Sequence, residues 1–244
     1  MNAPAELSER PFRAPGRLRR ALLLAVVAAA LGPLQVLAAT PAGFAAAPVN
    51  VEPAVRTIDV NLYRPGAVAY QFTNYWCVPA NAQTMLNIIY ATKDRSRDTQ
   101  ARYAWHINRL NRYTYTTKGN DVAGWARFLD LWVPGSWHYL DRSYDSRMAA
   151  VNAMVESIDR TGDPVGIVVD HGGHAWTVLG YRATQARGST TRTIEGLYVS
   201  GSLLYSDPRP YRYMSLADFA VRYTRYHESQ RAVVWEGKFV IVSE

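Results

Sequence analysis

The chain has 244 residues, of which 48% are hydrophobic and 12% aromatic, and its 27 basic and 20 acidic side chains give a formal charge of +7. The first 38 residues hold five arginines and two glutamates, so the remainder has 22 basic and 18 acidic residues, a charge of +4. A nucleic-acid-binding surface needs clustered positive charge, and here the acids are mixed among the bases. We therefore expect a globular domain with ample material for a core and with no nucleic-acid partner.

The N-terminus has the layout of a secretory signal peptide. Arginines lead into an unbroken apolar run, 21–31, which Gly32 and Pro33 end, and small residues suitable for cleavage follow at 36–39. The run is short for a membrane span. We predict a signal peptide over 1–38, export to the cell envelope or medium, and no stable membrane insertion after cleavage. An uncleaved anchor is the alternative.

Residues 39–55 are rich in alanine and proline and are typical of a linker or a disordered mature N-terminus. The segment 39–60 is also long enough to act as a propeptide, and this alternative stays open. From residue 56 to 244 the sequence predicts one domain.

Helices are predicted in the first half of this domain, from apolar residues at helical spacing and from end signals. Residues 132–144, which contain Pro134 and Gly135, are predicted to be irregular. The predicted helices are 79–91, with Pro79 in the first turn; 98–112; a short helix capped by Asp121 over Val122 to Leu129; and one from Asp145 or Ser146 to Arg160.

Strands dominate the second half. The short apolar runs are bounded by turn residues, and Ser215 to Asp218 has the pattern of a capping box before a helix over 219–226. The predicted strands are 164–169, 174–181, 192–199 and one or two within 232–242. Helices first and strands later predict an α+β fold with an antiparallel sheet.

Cys77 is the only cysteine of the chain, so it cannot form an internal disulfide. An unpaired thiol in an exported protein is exposed to oxidation, which favours a reactive role. Pro79 and the apolar spacing after it place Cys77 at a helix N-terminus, where free N–H groups lower the pKa of a thiol. We therefore expect a nucleophile with a depressed pKa. The alternative is a small buried apolar residue.

A cysteine nucleophile needs a base, a group that orients the base, and donors for the oxyanion. His174 opens a predicted strand after a glycine pair and is the candidate base. Asp207 can accept the other imidazole N–H. The side-chain amide of Gln71 and the main-chain N–H of Cys77 are the candidate oxyanion donors. Each of these three residues also has an ordinary structural alternative. His174 is then a packed histidine, Asp207 forms a turn with the proline after it, and Gln71 is a surface glutamine.

Two other interpretations concern the same region. His171 competes with His174 for the role of base, and His174 is favoured because the strand pattern begins there. The segment Asp170 to His174 also offers a weak His-x-x-His metal pattern, but no nearby cysteine or glutamate completes it, so no metal is expected. The tyrosines and tryptophans between 103 and 144 are predicted to pack in the core, or alternatively to line a groove for an extended peptide or glycan.

The order of these motifs resembles the papain-like cysteine peptidases, and within them the C39-like family. Val78 stands where that family usually has glycine, and Ala175 displaces its usual tryptophan after the histidine. The matching pieces span most of residues 68–242: Gln71 six residues before the cysteine, Cys77-Val78-Pro79-Ala80, Gly173-His174-Ala175-Trp176 leading to Gly180-Tyr181, Asp207-Pro208, and the closing segment from Trp235.

The resemblance implies a papain-like fold, with N-terminal helices packed on a C-terminal antiparallel sheet. It also implies a cysteine peptidase that acts through an acyl-enzyme, with Cys77, His174 and Asp207 as triad and Gln71 at the oxyanion. The chemistry needs no cofactor. We expect a peptide or cell-envelope substrate, and the oligomeric state stays open. The alternatives are a secreted papain-fold binding protein without turnover, and an amidase or acyltransferase with the same triad.

Overall fold

The computed structural model describes residues 55–113, 119–133, 135, 138–201, 211–227 and 233–244. The predicted signal peptide 1–38, the predicted linker apart from Val55, and Asp207 lie outside the described residues. All described residues belong to one compact unit, Ala54–Glu244.

Within this part of the chain the protein is a mixture of helices and one antiparallel sheet, which confirms the α+β class. The helices are α1 (Cys77–Ile89), α2 (Arg97–Leu110), α3 (Val122–Trp132), α4 (Arg147–Thr161) and α5 (Leu216–Arg222). The strands are β1 (Val55–Asn61), β2 (Leu140–Tyr144), β3 (Val165–Val169), β4 (His174–Ala186), β5 (Arg192–Gly201), β6 (Arg212–Ser215) and β7 (Phe239–Ser243).

Strand β4 organises the sheet, whose order is β2-β7-β3-β4-β5-β6 with β1 added to β4. Along one edge of β4, β3 pairs with its first residues and β1 pairs with its last ones. Along the other edge, β5 pairs with β4 from Gln185 back to Trp176, which faces Gly201. All these pairings are antiparallel, as predicted.

Helices cover both faces of the sheet. Because side chains alternate along a strand, successive residues of β4 enter different cores. Ala175 packs with α1, α2 and α3 in one apolar cluster. Trp176 packs with α4 and α5 in the other. Trp125, Trp176 and Trp235 are among the largest fully buried side chains, so much of the aromatic content serves the core.

The predicted helices agree with the structure to within a few residues, and α1 begins at Cys77 itself. The prediction for α5 was wrong by three residues at its start. The Ser215 hydroxyl accepts a hydrogen bond from the Asp218 N–H at 3.1 Å, so the capping box is the first turn of the helix and α5 runs over 216–222 instead of 219–226.

Three short strands escaped prediction. Residues 140–144 were expected to be irregular but form β2, Val55 of the predicted linker begins β1, and β6 was not predicted. β2 is mostly exposed, so its sequence gives only a weak strand signal. β1 does alternate at Ile58 and Val60, which pack against the core, and that signal was missed. β7 covers only the end of the predicted strand 232–242, after a bend at Gly237, whose φ is 69°.

Candidate active site

Cys77 is the first residue of α1, as its sequence context predicted; the residue as a whole is partly exposed, whereas its thiol group is buried. The sulfur accepts main-chain hydrogen bonds from the N–H groups of Ala175, Val78 and Cys77 itself, which favour a thiolate. The thiol therefore contacts the start of β4 at Ala175, the residue that follows His174 in the sequence.

The expectation of a depressed Cys77 pKa was wrong. Burial of the thiol is the largest influence, and it raises the pKa above the ordinary thiol value although the three main-chain N–H groups act in the opposite direction. A buried thiolate loses more hydration than the N–H groups at the helix end restore. At rest, Cys77 is therefore a neutral thiol near pH 7.

Asn81 joins α1 to β4 one helical turn beyond Cys77. Its side chain is 1% exposed, and its Nδ2 donates to the carbonyl of Cys77 and to the carbonyl of Ala175, both at 2.8 Å. Its Oδ1 accepts from the Thr177 hydroxyl at 2.8 Å. The amide thus fixes the first turn of α1 against the first residues of β4.

The main-chain groups of Ala175 connect β4 to α1. The N–H of Ala175 contacts the Cys77 sulfur, and its carbonyl accepts a hydrogen bond from Asn81. Both groups therefore have partners in α1.

His174 is the first residue of β4 and lies opposite Val169 of β3. Alternation puts its side chain on the face of Trp176, which is the face that α5 covers. Its Nε2 atom is buried and has no hydrogen-bond partner among the described residues. The thiol therefore contacts β4 at the main-chain N–H of Ala175. The imidazole projects from the preceding residue, His174, on the face of the sheet that α5 covers.

The His174 ring is held neutral. Burial is the largest influence and lowers its pKa; the carboxylate of Asp170 raises it, and the guanidinium of Arg222 lowers it. A neutral imidazole is the form that can accept a proton. A buried ring nitrogen without a partner costs stability, and a catalytic role is one explanation for such a group. Both properties suit a general base.

Gln71 is 6% exposed and is held through its neighbours along the chain. Gln100 of α2 accepts from the N–H of Phe72 and donates to the carbonyl of Tyr70, both at 2.9 Å. The Nε2 of Gln100 also donates to the side-chain oxygen of Gln83 in α1 at 3.1 Å. The segment that carries Gln71 is thereby attached to the same helix that carries Cys77.

Three of the four predicted site residues lie in the described part of the chain. Cys77 and His174 flank the start of β4, Gln71 lies on a segment attached to α1, and Asp207 lies outside the described residues. The complete triad therefore stays a prediction. The charged groups that act on the His174 ring in the described part of the chain are Asp170 and Arg222, and neither was predicted.

His171, the competing base, is exposed, and its N–H donates to the Thr224 hydroxyl at 2.8 Å. Over the described ranges, no group of three or more histidine, cysteine, aspartate or glutamate side chains is arranged to hold a metal ion. Over the same ranges, no helix is long and apolar enough to cross a membrane.

Sequence reasoning missed the polar residues that assemble the site: Asn81, Gln100, Asp170 and Arg222. One signal was available for Asn81, since it follows Cys77 at i+4 and therefore shares its side of the helix. For Gln100 and Arg222, which act on segments far away in the sequence, no local pattern exists.

Comparisons with known proteins add no relative. No family model matches the chain, and no curated protein and no solved structure is significantly similar to it.

Replacing Asn81 with alanine should lower the free energy of unfolding by about 1–3 kcal/mol, because buried hydrogen-bonding groups of Ala175 and Thr177 lose their partner. Urea denaturation measures this. The control is Asn108→Ala on the exposed side of α2, where a surface change typically costs within about 0.5 kcal/mol. Equal losses in both variants would contradict the role given to Asn81.

The raised pKa of Cys77 predicts slow alkylation by iodoacetamide at pH 7, with the rate still rising above pH ~8.5, the usual thiol value. The same chain unfolded in urea is the control, because its single cysteine then titrates as an ordinary thiol. The folded profile should lie at higher pH than the unfolded one. A rate that has already levelled off at pH 7 would contradict the neutral resting thiol.

Proposed function

We propose that this protein is an exported cysteine hydrolase of the papain-like type, similar to the C39-like family, that cleaves peptide bonds through an acyl-enzyme. The observation that carries the proposal is the contact of the Cys77 sulfur, at the N-terminus of α1, with the main-chain N–H of Ala175, the residue after His174. His174 directly precedes Ala175 in β4, and its buried Nε2 has no hydrogen-bond partner among the described residues, so this atom is available to accept a proton.

In the proposed reaction, the thiol and the imidazole are neutral at rest. As the Cys77 sulfur attacks the scissile carbonyl carbon, its proton passes to His174, and the new C–S bond forms. The Gln71 side-chain amide and the Cys77 N–H donate to the oxyanion. The C–N bond then breaks, the leaving amine takes the proton from the imidazolium, and water, deprotonated by His174, hydrolyses the thioester. Asp207 would orient the ring.

The raised pKa of Cys77 and the lowered pKa of His174 both support this order of events. Each shift disfavours a resting thiolate–imidazolium pair, so proton transfer accompanies the attack instead of preceding it. The resting enzyme would be protected from oxidation outside the cell, because the thiol is much less readily oxidised than the thiolate.

The same raised pKa favours a second candidate, a secreted binding protein of this fold that has no turnover. An amidase or acyltransferase with the same residues differs from the peptidase only in the bond cleaved or in the acceptor. Peptides of cell-envelope or protein origin, incubated with and without an added amine, distinguish these functions. Hydrolysis and transfer give products of different mass, and binding leaves the peptide intact.

Cys77→Ser should abolish peptide cleavage, with a loss of about 10³-fold or more, and His174→Ala should lower it by about 10²–10⁴-fold. Cleavage is measured by mass spectrometry of a peptide mixture, and circular dichroism verifies that each variant is folded. His138→Ala is the matched control, since His138 is an exposed histidine paired with Asp130. If the wild type binds peptides and releases them intact, the binding protein is the correct function.

Export is proposed on the apolar run after Arg20. The protein recovered from the envelope fraction or the medium of its own cells should begin after residue 37 when its N-terminus is determined by mass spectrometry. Intact protein that begins at Met1 and stays in the membrane fraction would contradict the proposed localisation.

A further inference from the structure

The turn between β3 and β4 holds an unusual backbone conformation directly before His174. Asp170 and His171 have φ values of 52° and 58°, and Gly172 follows with a φ of 90°. Left-handed backbone costs a residue with a side chain roughly 1–2 kcal/mol. Two such residues in succession persist only where the surroundings determine the conformation, and such strain is concentrated at functional sites.

The segment after α5 holds this turn. The guanidinium of Arg222 forms a two-armed ion pair with Asp170, with Nε–Oδ1 at 2.7 Å and Nη2–Oδ2 at 2.5 Å. The N–H of His171 donates to the Thr224 hydroxyl at 2.8 Å, and its carbonyl accepts from the His227 N–H at 3.0 Å.

Glycine is required at position 172 by contact with the same segment. A Cβ atom there would lie 2.7 Å from the ring of Tyr226. The turn 170–173 is therefore seated against residues 222–227 through an ion pair, two hydrogen bonds and an aromatic ring.

The ion pair contributes little to stability by itself. The side chains of Arg222 and Asp170 are 40% and 35% exposed, and ion pairs exposed to solvent are worth roughly 0–1 kcal/mol. This is less than the strain of the two left-handed residues. The ion pair between Arg222 and Asp170 is thus better explained by the position it gives to the residues after the turn than by the stability it adds.

What it places is His174. Arg222 lies over the ring of Trp176, 5.4 Å from its centroid, on the same face of β4 as His174. Asp170 and Arg222 also act on the His174 ring with opposite sign. Other titratable or charged groups lie on the neighbouring elements: Cys77 contacts Ala175, His227 donates its N–H to the His171 carbonyl, and Arg212 of β6 lies over the Trp176 ring.

We propose that Asp170 and Arg222 are positioning residues for His174, and that their two-armed ion pair keeps the strained turn in place and thereby fixes the imidazole at the start of β4. The proposal rests on the proposed function only where it concerns turnover. The position and the charge environment of the ring can be measured in a protein that does not turn over.

The test compares Asp170→Asn, Arg222→Gln and Arg222→Lys in the full chain carrying Cys77→Ser. Asparagine is the residue that best tolerates the left-handed backbone of position 170, so the charge is lost with little added strain. NMR measures the titration of His174, whose signal is the one lost in His174→Gln, and the exchange rate of the His171 amide hydrogen.

Asp170→Asn removes a negative charge and leaves Arg222 unpaired, so the pKa of His174 should fall. Arg222→Gln removes a positive charge and leaves Asp170 unpaired, so the pKa should rise. In both variants, hydrogen exchange of the His171 amide should be faster by about tenfold, because the turn 170–173 separates from residues 222–227 more often. Arg222→Lys keeps the charge but lacks the two-armed geometry, so exchange should quicken while the pKa stays near that of the parent.

Asp159→Asn is the matched control, because it breaks an ion pair with Arg192 of similar exposure elsewhere in the fold. It should leave the His174 titration and His171 exchange unchanged. If the two charge-removing variants shift the pKa in the same direction, or change exchange no more than the control does, the proposal is wrong.

A second measurement separates this proposal from the proposed function. In the chain with Cys77 restored, Arg222→Lys should lower kcat for peptide cleavage while KM stays close to the parent value. If no variant and no parent cleaves peptides but the opposed pKa shifts and faster exchange are found, the positioning role stands and the peptidase function fails. If the parent cleaves peptides and Arg222→Lys leaves kcat unchanged, the positioning role fails and the function stands.

Discussion

The site depends on one buried amide, that of Asn81. It bonds the carbonyls of Cys77 and Ala175 and the hydroxyl of Thr177, so it connects a helix and a strand that are almost a hundred residues apart in the sequence. Apolar packing alone would hold α1 on the sheet but would tolerate small shifts along it, whereas the two directed, buried hydrogen bonds of Asn81 with Ala175 and Thr177 favour one position. The distance from the thiol to β4 follows from that position.

The same burial that gives the amide its effect opposes a resting thiolate. Around Cys77 the N–H groups of the helix end and of Ala175 favour the negative charge, and the surrounding protein disfavours it more strongly. Around His174 burial likewise favours the uncharged ring. Both side chains are therefore uncharged in the resting protein. Such a site suits chemistry in which a bound substrate supplies hydrogen-bond donors or displaces water before a proton leaves the thiol.

How much of this could be predicted from the sequence depends on how local each signal is. The start of α1 at Cys77 and the strand that begins at His174 follow from Pro79 and from apolar runs bounded by glycine, and both predictions were confirmed. The pKa of Cys77 was predicted in the wrong direction, because helix position is visible in the sequence and burial of the sulfur is not. Arg222 acts on a turn fifty residues earlier, and only the fold makes them neighbours.

Strand β4 explains why these contributions converge on its first residues. At Ala175 the main-chain N–H contacts the Cys77 sulfur and the carbonyl accepts a hydrogen bond from Asn81, so α1 is attached to the strand there. On the face that α5 covers, His174 directly follows the turn that Arg222 holds. One helical layer therefore contacts β4 through Cys77 and Asn81, and the other contacts the turn that precedes His174. A rearrangement of either layer would change the surroundings of these residues while the sheet stayed intact.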